Sequence, residues 1–293
     1  MTRNTGVVGT DERLPAPPAD GMLWDIATPT LSSRLPGVTM AGFTDRGITP
    51  PALRLIPHPA VTLIVVFDGS IAVEDGDGRP YRGSFAIGPG YGDALRALQV
   101  DAFSCLQVRL SPVAAHALLG GSAAELDTVI PLDALLGPDS DRLNDRLAAA
   151  GTWQQRFAVL DRWFSDRRAA AGSPIDPEVG WSWQRIASRR GAVRVEQLAT
   201  ELGWSRKRLW SRFGSQLGLS PKRAAKLVRF DHAVHRLVAG GPPALVAAEG
   251  GYADQSHLHR DVAAFTGLTP GTVTAEPFLA VDDVAWGWPG RGG

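Results

Sequence analysis

Two kinds of apolar spacing divide the chain. Between residues 53 and 110, apolar residues alternate with polar ones or form short β-branched runs separated by turn formers, which is typical of strands. From residue 111 onward, apolar residues recur every three or four positions, which is typical of amphipathic helices. The sequence therefore predicts an α+β protein, with a β-rich N-terminal barrel or sandwich that carries helices, followed by an all-α region.

The predicted strands are followed by helices, one of which carries an apolar stripe. Strands are predicted at 53–57, 61–73, 84–88 and 104–110. Helices are predicted at 112–119, 140–149 and 152–169. The last of these helices aligns the apolar side chains of Trp153, Phe157, Leu160 and Phe164. Two interpretations of this stripe stay open: it packs on the strands, or it pairs with a second subunit.

One motif occurs twice near the C-terminus. The first copy has Leu209, an apolar residue four positions later, and Gly-Leu-Ser-Pro at 218–221; the second repeats this spacing 49 residues later, from Leu258 to Gly-Leu-Thr-Pro. Upstream of each copy, glycine at 203 or at 250–251 predicts a turn between two short helices. Such a pair forms a helix-turn-helix unit, whose second helix lies in the major groove of DNA. Two plain helical hairpins packed as a bundle are the alternative.

The charge distribution favours the DNA-binding interpretation. The formal net charge is zero, but residues 181–275 contain 14 Lys and Arg against 6 Asp and Glu, so the rest of the chain is acidic. Phosphate contacts supply most of the non-specific affinity for DNA, and nucleic-acid readers therefore cluster their basic residues. The run Arg206-Lys207-Arg208 begins the second helix of the first copy, where the helix N-terminus also attracts phosphate.

Both copies also carry a family resemblance in their residues. The first has Gly203-Trp-Ser followed by Leu209 and Arg-Phe at 212–213, and the second has Glu-Gly-Gly-Tyr-Ala-Asp-Gln-Ser-His-Leu-His-Arg at 249–260. These motifs resemble the AraC/XylS family of bacterial transcription regulators. The resemblance implies two helix-turn-helix units held rigidly by one long helix, expected here at about 222–237 with Ser220 as its cap.

The resemblance also implies, by position, which side chains face DNA. Those of the first reading helix are Arg206, Lys207, Trp210 and Ser211. Those of the second are Gln255, Ser256, His259 and Arg260. The expected DNA-binding set is completed by Arg208, Arg212, Lys222 and His257, although the family's counterpart of Arg212 often supports the fold or a phosphate. Asp-Val-Ala-Ala at 261–264 replaces the family's usual basic stretch, so the second unit is expected to hold phosphate more weakly.

The domain boundaries expected from composition and resemblance divide the chain into five segments. Residues 1–20 and 277–293 are expected to be disordered tails. Residues 21–170 form a cupin-like sensor or dimerisation domain, 171–177 a linker, and 178–276 the DNA-binding domain. Because no apolar run approaches the roughly 20 residues that span a bilayer, a cytoplasmic protein without a membrane partner is expected.

Patterns of catalysis and metal binding are missing from the sequence. Asp-Gly-Asp-Gly at 75–78 is similar to part of a calcium loop, but Ala86 stands where the bidentate Glu belongs. The single cysteine, Cys105, excludes an internal disulfide, and its apolar neighbours favour a buried residue over a redox sensor. No enzyme activity and no cofactor are therefore expected.

The sequence says least about the signal to which the protein responds. Arg54, His58, Tyr81 and Tyr91 could line a ligand pocket of a small barrel. The sequence thus predicts a sequence-specific DNA-binding regulator, modulated by a small effector or by homodimerisation, with RNA polymerase as a further partner if it is an activator. The alternative is a ligand-binding or protein-interaction module that has lost specific DNA readout.

Overall fold

The computed structural model of the protein describes residues 23–47, 52–89, 95–120, 129–170 and 174–286. The predicted tail at 1–20 and the candidate pocket residue Tyr91 lie outside the described residues. No helix in the described ranges is both long and apolar enough to cross a membrane.

The N-terminal half is built on one antiparallel sheet. Within the described residues it has eight strands in the order β1-β2-β7-β4-β6-β8, with β3 paired to β7 and β5 paired to β4. The strands are β1 (Trp24–Ala27), β2 (Val38–Asp45), β3 (Ala52–Arg54), β4 (Val61–Glu74), β5 (Pro80–Arg82), β6 (Phe85–Ile87), β7 (Arg96–Leu110) and β8 (Val129–Pro131). The long β4–β7 ladder shifts register beside Gly69, where φ is +70° and a side chain would collide with the carbonyl oxygen of Ala102. Glycine is therefore required at this bulge.

Side chains alternate between two apolar layers on either face of the sheet. On one face, Val61, Leu63 and Val65 of β4 pack under α1 (Pro112–Leu119), α3 (Asp139–Ala149) and α4 (Trp153–Ala170); the short α2 (Leu132–Leu136) adds to this layer. On the other face, Ile64 and Val66 join a second cluster that contains Trp24, Phe43 and Phe103 of the other strands. This alternation is the period of two that strand geometry imposes, and it confirms the predicted β-rich domain with helices.

The apolar stripe of α4 is part of the first layer. Phe157, Leu160 and Phe164 are buried against the strands, and the ring of Trp153 covers Gly42, where any side chain would overlap it. Of the two interpretations of the stripe, packing on the sheet is the one observed, so these side chains are not available to a second subunit.

The C-terminal half is helical, and both copies of the repeat have the predicted form. The helices are α5 (Pro177–Ser188), α6 (Val195–Glu201), α7 (Arg206–Leu217), α8 (Pro221–Val238), α9 (Pro243–Glu249), α10 (Gln255–Thr266) and α11 (Pro270–Val273). Ser205 and Asp254 cap α7 and α10 by accepting backbone N–H groups. Gly218 and Gly267 end the same two helices in the left-handed conformation.

Helix α8 is the predicted long connector, and it contributes to two separate cores. Ala224 and Val228 pack with Leu209 and Phe213 of the first unit. Leu227, Phe230 and Val234 pack with Leu258 and Val262 of the second unit. Because one helix is buried in both cores, the two helix-turn-helix units are held at a fixed relative position.

The predicted disordered tail is wrong for residues 277–286. They form α12 (Pro277–Ala280) and α13 (Asp282–Trp286), and Leu279, Val281 and Ala285 are buried. The last two of these side chains complete the second apolar layer of the sheet. The helices escaped detection because each is too short to show a helical period in the sequence; residues 287–293 lie outside the described ranges.

Five charged or polar side chains, which we call the docking cluster, join the two halves. The cluster comprises His58 and Arg109 from the sheet domain, Asp231 and His235 from α8, and Asp282 from α13. Arg109 donates to Asp282 at 2.7 Å, and Nε2 of His235 donates to the same carboxylate at 2.9 Å. His58 bonds Asp231 through Nδ1 at 2.8 Å, and its Nε2 lies 3.0 Å from the guanidinium of Arg109. The buried charges are thus compensated across the contact.

The surroundings of two members of the cluster, His235 and Asp282, shift their pKa values. Burial would lower the pKa of His235, but the hydrogen bond to Asp282 and the charges of Asp231 and Asp282 outweigh it and raise this pKa to about 9. Burial would raise the pKa of Asp282, yet Arg109, His58 and His235 hold this pKa well below its usual range. His235 is therefore an imidazolium at neutral pH, and both its nitrogens face acceptors.

This pKa makes stability depend on pH. Because the folded-state pKa of His235 is about 9 against 6.5 for the free side chain, its contribution is fully present below pH 6.5 and is lost as pH rises through 9. We expect the free energy of unfolding to fall by about 2 kcal/mol between pH 7 and pH 9. Urea denaturation at pH 7 and at pH 9 measures this free energy of unfolding.

The control for this experiment is His232→Gln, on the same helix. The pKa of His232 is lowered, chiefly by burial, so this side chain does not titrate between pH 7 and 9 and the variant should keep the decline. His235→Gln should remove most of it. An equal decline in His235→Gln and in the unmodified protein would contradict the assignment.

Candidate nucleic-acid interface

The polar face of α7 is presented to solvent. Leu209 and Phe213 are fully buried, and because side chains on a helix recur every 3.6 residues, Arg206, Lys207 and Trp210 point the opposite way and are exposed. Trp210 leaves 43% of its surface accessible, although it is the largest apolar side chain on this helix. An exposed tryptophan between cations suits contact with a thymine methyl or a sugar edge.

The equivalent face of α10 is polar and less basic. Leu258 and Val262 anchor the helix, which leaves Gln255, Ser256, His259 and Arg260 exposed. The Nε2 atoms of Gln255 and His259 are 3.4 Å apart, and Arg260 Nε donates to the carbonyl of Ser256 at 3.3 Å. The predicted reading residues therefore lie together on one side of each helix.

Between the two units lies a cleft of about 1000 Å³, which we call the cationic cleft. It is lined by residues of both units, including Trp210 and His257. Its basic side chains outnumber its two acidic ones, Glu196 and Asp261, and they are Arg194, Arg206, Lys207, Lys222, Lys226 and Arg229. Such a surface attracts a phosphate backbone that crosses from one groove to the next.

Three of these cations were not predicted as site residues. Arg194 precedes α6, and Lys226 and Arg229 lie on α8. The spacing of 222, 226 and 229 places these three of the basic residues of α8 on one helical face, and this signal was available in the sequence. Arg194 carried no such signal, because only the fold brings α6 to the cleft.

Asp261 of α10, which begins the segment that replaces the family's usual basic stretch, has a structural role. Asp261 is buried and accepts from Lys226 at 3.2 Å and from Arg229 at 3.0 Å. Its charge is neutralised against α8 and ties the second unit to the connector. Within the segment 255–266, Arg260 is still the single Lys or Arg, so the expectation of a weaker phosphate grip rests on that scarcity.

Two of the predicted DNA-binding residues make contacts within the protein. Arg212 donates twice to Asp176, at 2.7 and 2.8 Å, and this hydrogen-bonded pair lowers the pKa of Asp176. His257 is half-buried; its ring meets the edge of Tyr252 with centroids 5.2 Å apart, and its Nε2 lies 3.8 Å from Asp261. These contacts favour a positioning role for both side chains, and their predicted contact with DNA stays a prediction.

Arg208 and Lys222 stay exposed at the edges of the interface. The guanidinium of Arg208 lies 4.2 Å from the centroid of the Trp204 ring, which orients it beside the reading face of α7. Lys222, in the first turn of α8, lines the cationic cleft. Both positions suit phosphate contact better than base contact.

The three described candidates for a barrel pocket, Arg54, His58 and Tyr81, lie in different parts of the molecule. His58 belongs to the docking cluster, and the hydroxyl of Tyr81 donates to Asp75 at 3.2 Å in the β4–β5 hairpin. Arg54 lies beside Gly267 of the second unit. Cys105 is buried, and burial raises the pKa of its thiol to about 12, which agrees with a packed apolar residue. Among the described residues, no group of His, Cys, Asp and Glu is arranged to hold a metal ion.

Comparisons with known proteins identify a domain in the helical half and a similar overall fold. A family model described as a helix-turn-helix domain matches residues 198–276. An apo variant of ToxT from Vibrio cholerae is 10% identical over 84% of this chain and 99% of that one, with a TM-score of 0.50. ToxT with an unsaturated fatty acid bound covers 84% and 98% at 10% identity, with a TM-score of 0.46. The AraC-like transcriptional activator CuxR covers 80% and 90% at 19% identity, with a TM-score of 0.31. No curated protein matches the sequence.

The fold and the helix-turn-helix domain define a DNA-binding transcription regulator. Within this class, residues 198–276 are a helix-turn-helix domain of the AraC type, which confirms the resemblance seen in the repeated motifs. The sheet domain followed by the helical region is the two-domain architecture shared with ToxT.

The contact between Arg212 and Asp176 gives a testable prediction. Arg212→Ala and Asp176→Ala should each lower the melting temperature, because either change breaks the same pair. The melting temperature of the double variant should be close to that of the less stable single variant. The sequences selected from a random DNA pool should not change. Thermal denaturation measures the change in melting temperature, and selection of bound sequences from the DNA pool measures base preference.

The control is Arg208→Ala on the same helix, which leaves the pair intact and should change the melting temperature less. A contrary result is unaltered melting of Arg212→Ala together with a changed base preference. That result would indicate that Arg212 contacts DNA bases and does not mainly hold Asp176.

Proposed function

We propose that the protein is a sequence-specific regulator that reads two successive major grooves, one with α7 and the other with α10. The observation that supports this most is the burial of α8 in the cores of both units. It fixes two polar helix faces on either side of the cationic cleft. Reading helices in successive major grooves are about 34 Å apart along the duplex, and one copy should then protect roughly two turns of DNA.

The salt dependence of binding tests contact with phosphate. With the full chain, each phosphate contact should contribute about −0.9 to the slope of log affinity against log salt. Several contacts are expected, because basic side chains from both units surround the cationic cleft. Fluorescence anisotropy with duplexes of selected and random sequence measures the slope, and a flat response would remove the proposal in favour of a module without DNA readout.

Substitutions test whether both helices read bases. Trp210→Ala should relax sequence preference in one short patch and Arg260→Ala in the other, each weakening the preferred site by about 1–3 kcal/mol. Lys222→Ala should weaken all sequences about equally, because it contacts phosphate. Selection from a random pool, repeated for each variant, gives the result.

A matched control is Trp181→Ala, which removes another exposed tryptophan, from α5. It should leave both patches unchanged. If Arg260→Ala selects the same motif with the same affinity as the unmodified protein, the second unit is no more than a phosphate clamp.

A small effector and a homodimer are further parts of the proposal. Burial of the α4 stripe means that a second copy must use a different surface. Sedimentation velocity of the full chain at micromolar concentration tests the pairing, since the monomer mass is 31.2 kDa. A species of twice that mass is expected, and a single monomeric species with and without DNA would contradict it.

A further inference from the structure

A cleft of about 910 Å³ lies outside the sheet, between loop 28–34, α4 and α13. We call it the α13 cleft. Its volume is within the range of roughly 300–1000 Å³ typical of small-molecule sites. By contrast, the cavity among Trp24, Phe43, Phe103 and Cys105 measures about 30 Å³, which holds no more than water. Of these two cavities of the sheet domain, the α13 cleft is the one large enough for an effector.

The wall opposite α13 is held in place by hydrogen bonds. The side chain of Gln154 on α4 accepts from the backbone N–H of Thr30 at 3.1 Å and donates to the carbonyl of Thr28 at 3.0 Å. Ser33 donates to Asp161 on the same helix at 2.6 Å. Loop 28–34 is thus fastened to α4 at three points, and the cleft exists before any ligand arrives.

The lining combines exposed apolar surface with a small excess of positive charge. Leu31 is 82% exposed and Val284 is 52% exposed, and both border the cleft with Met40 and Phe157. Large apolar side chains that gather at an open cleft are a mark of ligand or partner surfaces. Arg34 and Arg162 also line it, and neither has an ion-pair partner among the described residues. With the carboxylate of Asp161, the net charge of the lining is about +1.

We infer that the α13 cleft binds an amphipathic monoanion, a molecule with one carboxylate and an alkyl or aryl body. The guanidinium groups of Arg34 and Arg162 would hold the carboxylate, since their planar forks match its geometry. The apolar body would cover Leu31 and Val284, whose side chains are exposed at the cleft. This inference rests on the proposed response to a small effector and names its site and chemical class.

The position of α13 couples this site to the DNA-binding domain. Val284, Ala285 and Trp286 form one wall of the cleft, while Asp282 on the same helix bonds His235 of α8 in the docking cluster. The ring of Trp286 also lies 4.3 Å from the guanidinium of Arg109. A ligand that packs on α13 in its docked position stabilises that position by mass action, and with it the attachment of α8.

Titration calorimetry of the full chain with octanoate tests the binding site, with uncharged 1-octanol as the matched probe. Octanoate should bind at least severalfold more tightly than 1-octanol. Arg34→Gln with Arg162→Gln should weaken octanoate about three- to tenfold, as expected for exposed ion pairs, and leave 1-octanol unchanged. Asp161→Asn should strengthen octanoate, because it removes the opposing charge.

Arg168→Gln on α4, outside the cleft lining, is the control and should behave as the unmodified protein. Equal binding of the two probes, no binding of octanoate, or octanoate affinity unaffected by the arginine and aspartate changes would each overturn the inference. No DNA is present in these titrations, so their failure is separate from any failure of the proposed DNA reading.

Amide hydrogen exchange tests the coupling. Octanoate at saturation should slow exchange in α13 and also in the last turns of α8, around residues 231–238, whereas α5 should be unaffected. Slowing confined to the cleft, with no change in α8, would overturn the coupling while leaving the site itself in place.

Discussion

The burial of α8 on several sides is the constraint on which the molecule depends. Its side chains enter the core of each helix-turn-helix unit, and Asp231 and His235 on the same helix reach the sheet domain. A helix packed in this way cannot rotate or shift without opening a core, because protein interiors are close-packed and tolerate little displacement. The distance between the polar faces of α7 and α10 is therefore set by packing within the protein.

The docking cluster adds specificity to this packing more than it adds stability. Removing two carboxylates and two cations from water is costly, and the gain from pairing them roughly offsets that cost. Their value lies in the directions of the hydrogen bonds: Arg109 and His235 both donate to Asp282, and His58 bonds Asp231, so sheet, α8 and α13 meet in one arrangement. An apolar contact of equal area would tolerate sliding.

Local features could be predicted from the sequence, and features that depend on distant residues could not. The helices α7 and α10, their caps Ser205 and Asp254, and their inward pairs such as Leu209 and Phe213 follow from residues within a few positions of one another. The bond from Arg109 to Asp282 joins residues 173 positions apart, and nothing near either residue indicates it.

The same reason accounts for contacts that the sequence did not predict. Arg212 reads as a DNA contact by position, but its partner Asp176 is 36 residues away. In the sequence, Asp261 looks like the loss of a basic residue, whereas the structure shows that it pairs with Lys226 and Arg229 of α8. For α4, periodicity correctly identified a buried face, and only the fold determined that the sheet covers it.

The placement of Val281 and Ala285 in the sheet's second apolar layer has a consequence for how the chain folds during synthesis. The sheet domain is discontinuous in sequence, since its core contains side chains that follow the whole DNA-binding domain. A ribosome that has released residues up to 170 has released a sheet whose apolar layer lacks these two side chains. Completion of this layer therefore requires residues that emerge after the helix-turn-helix units.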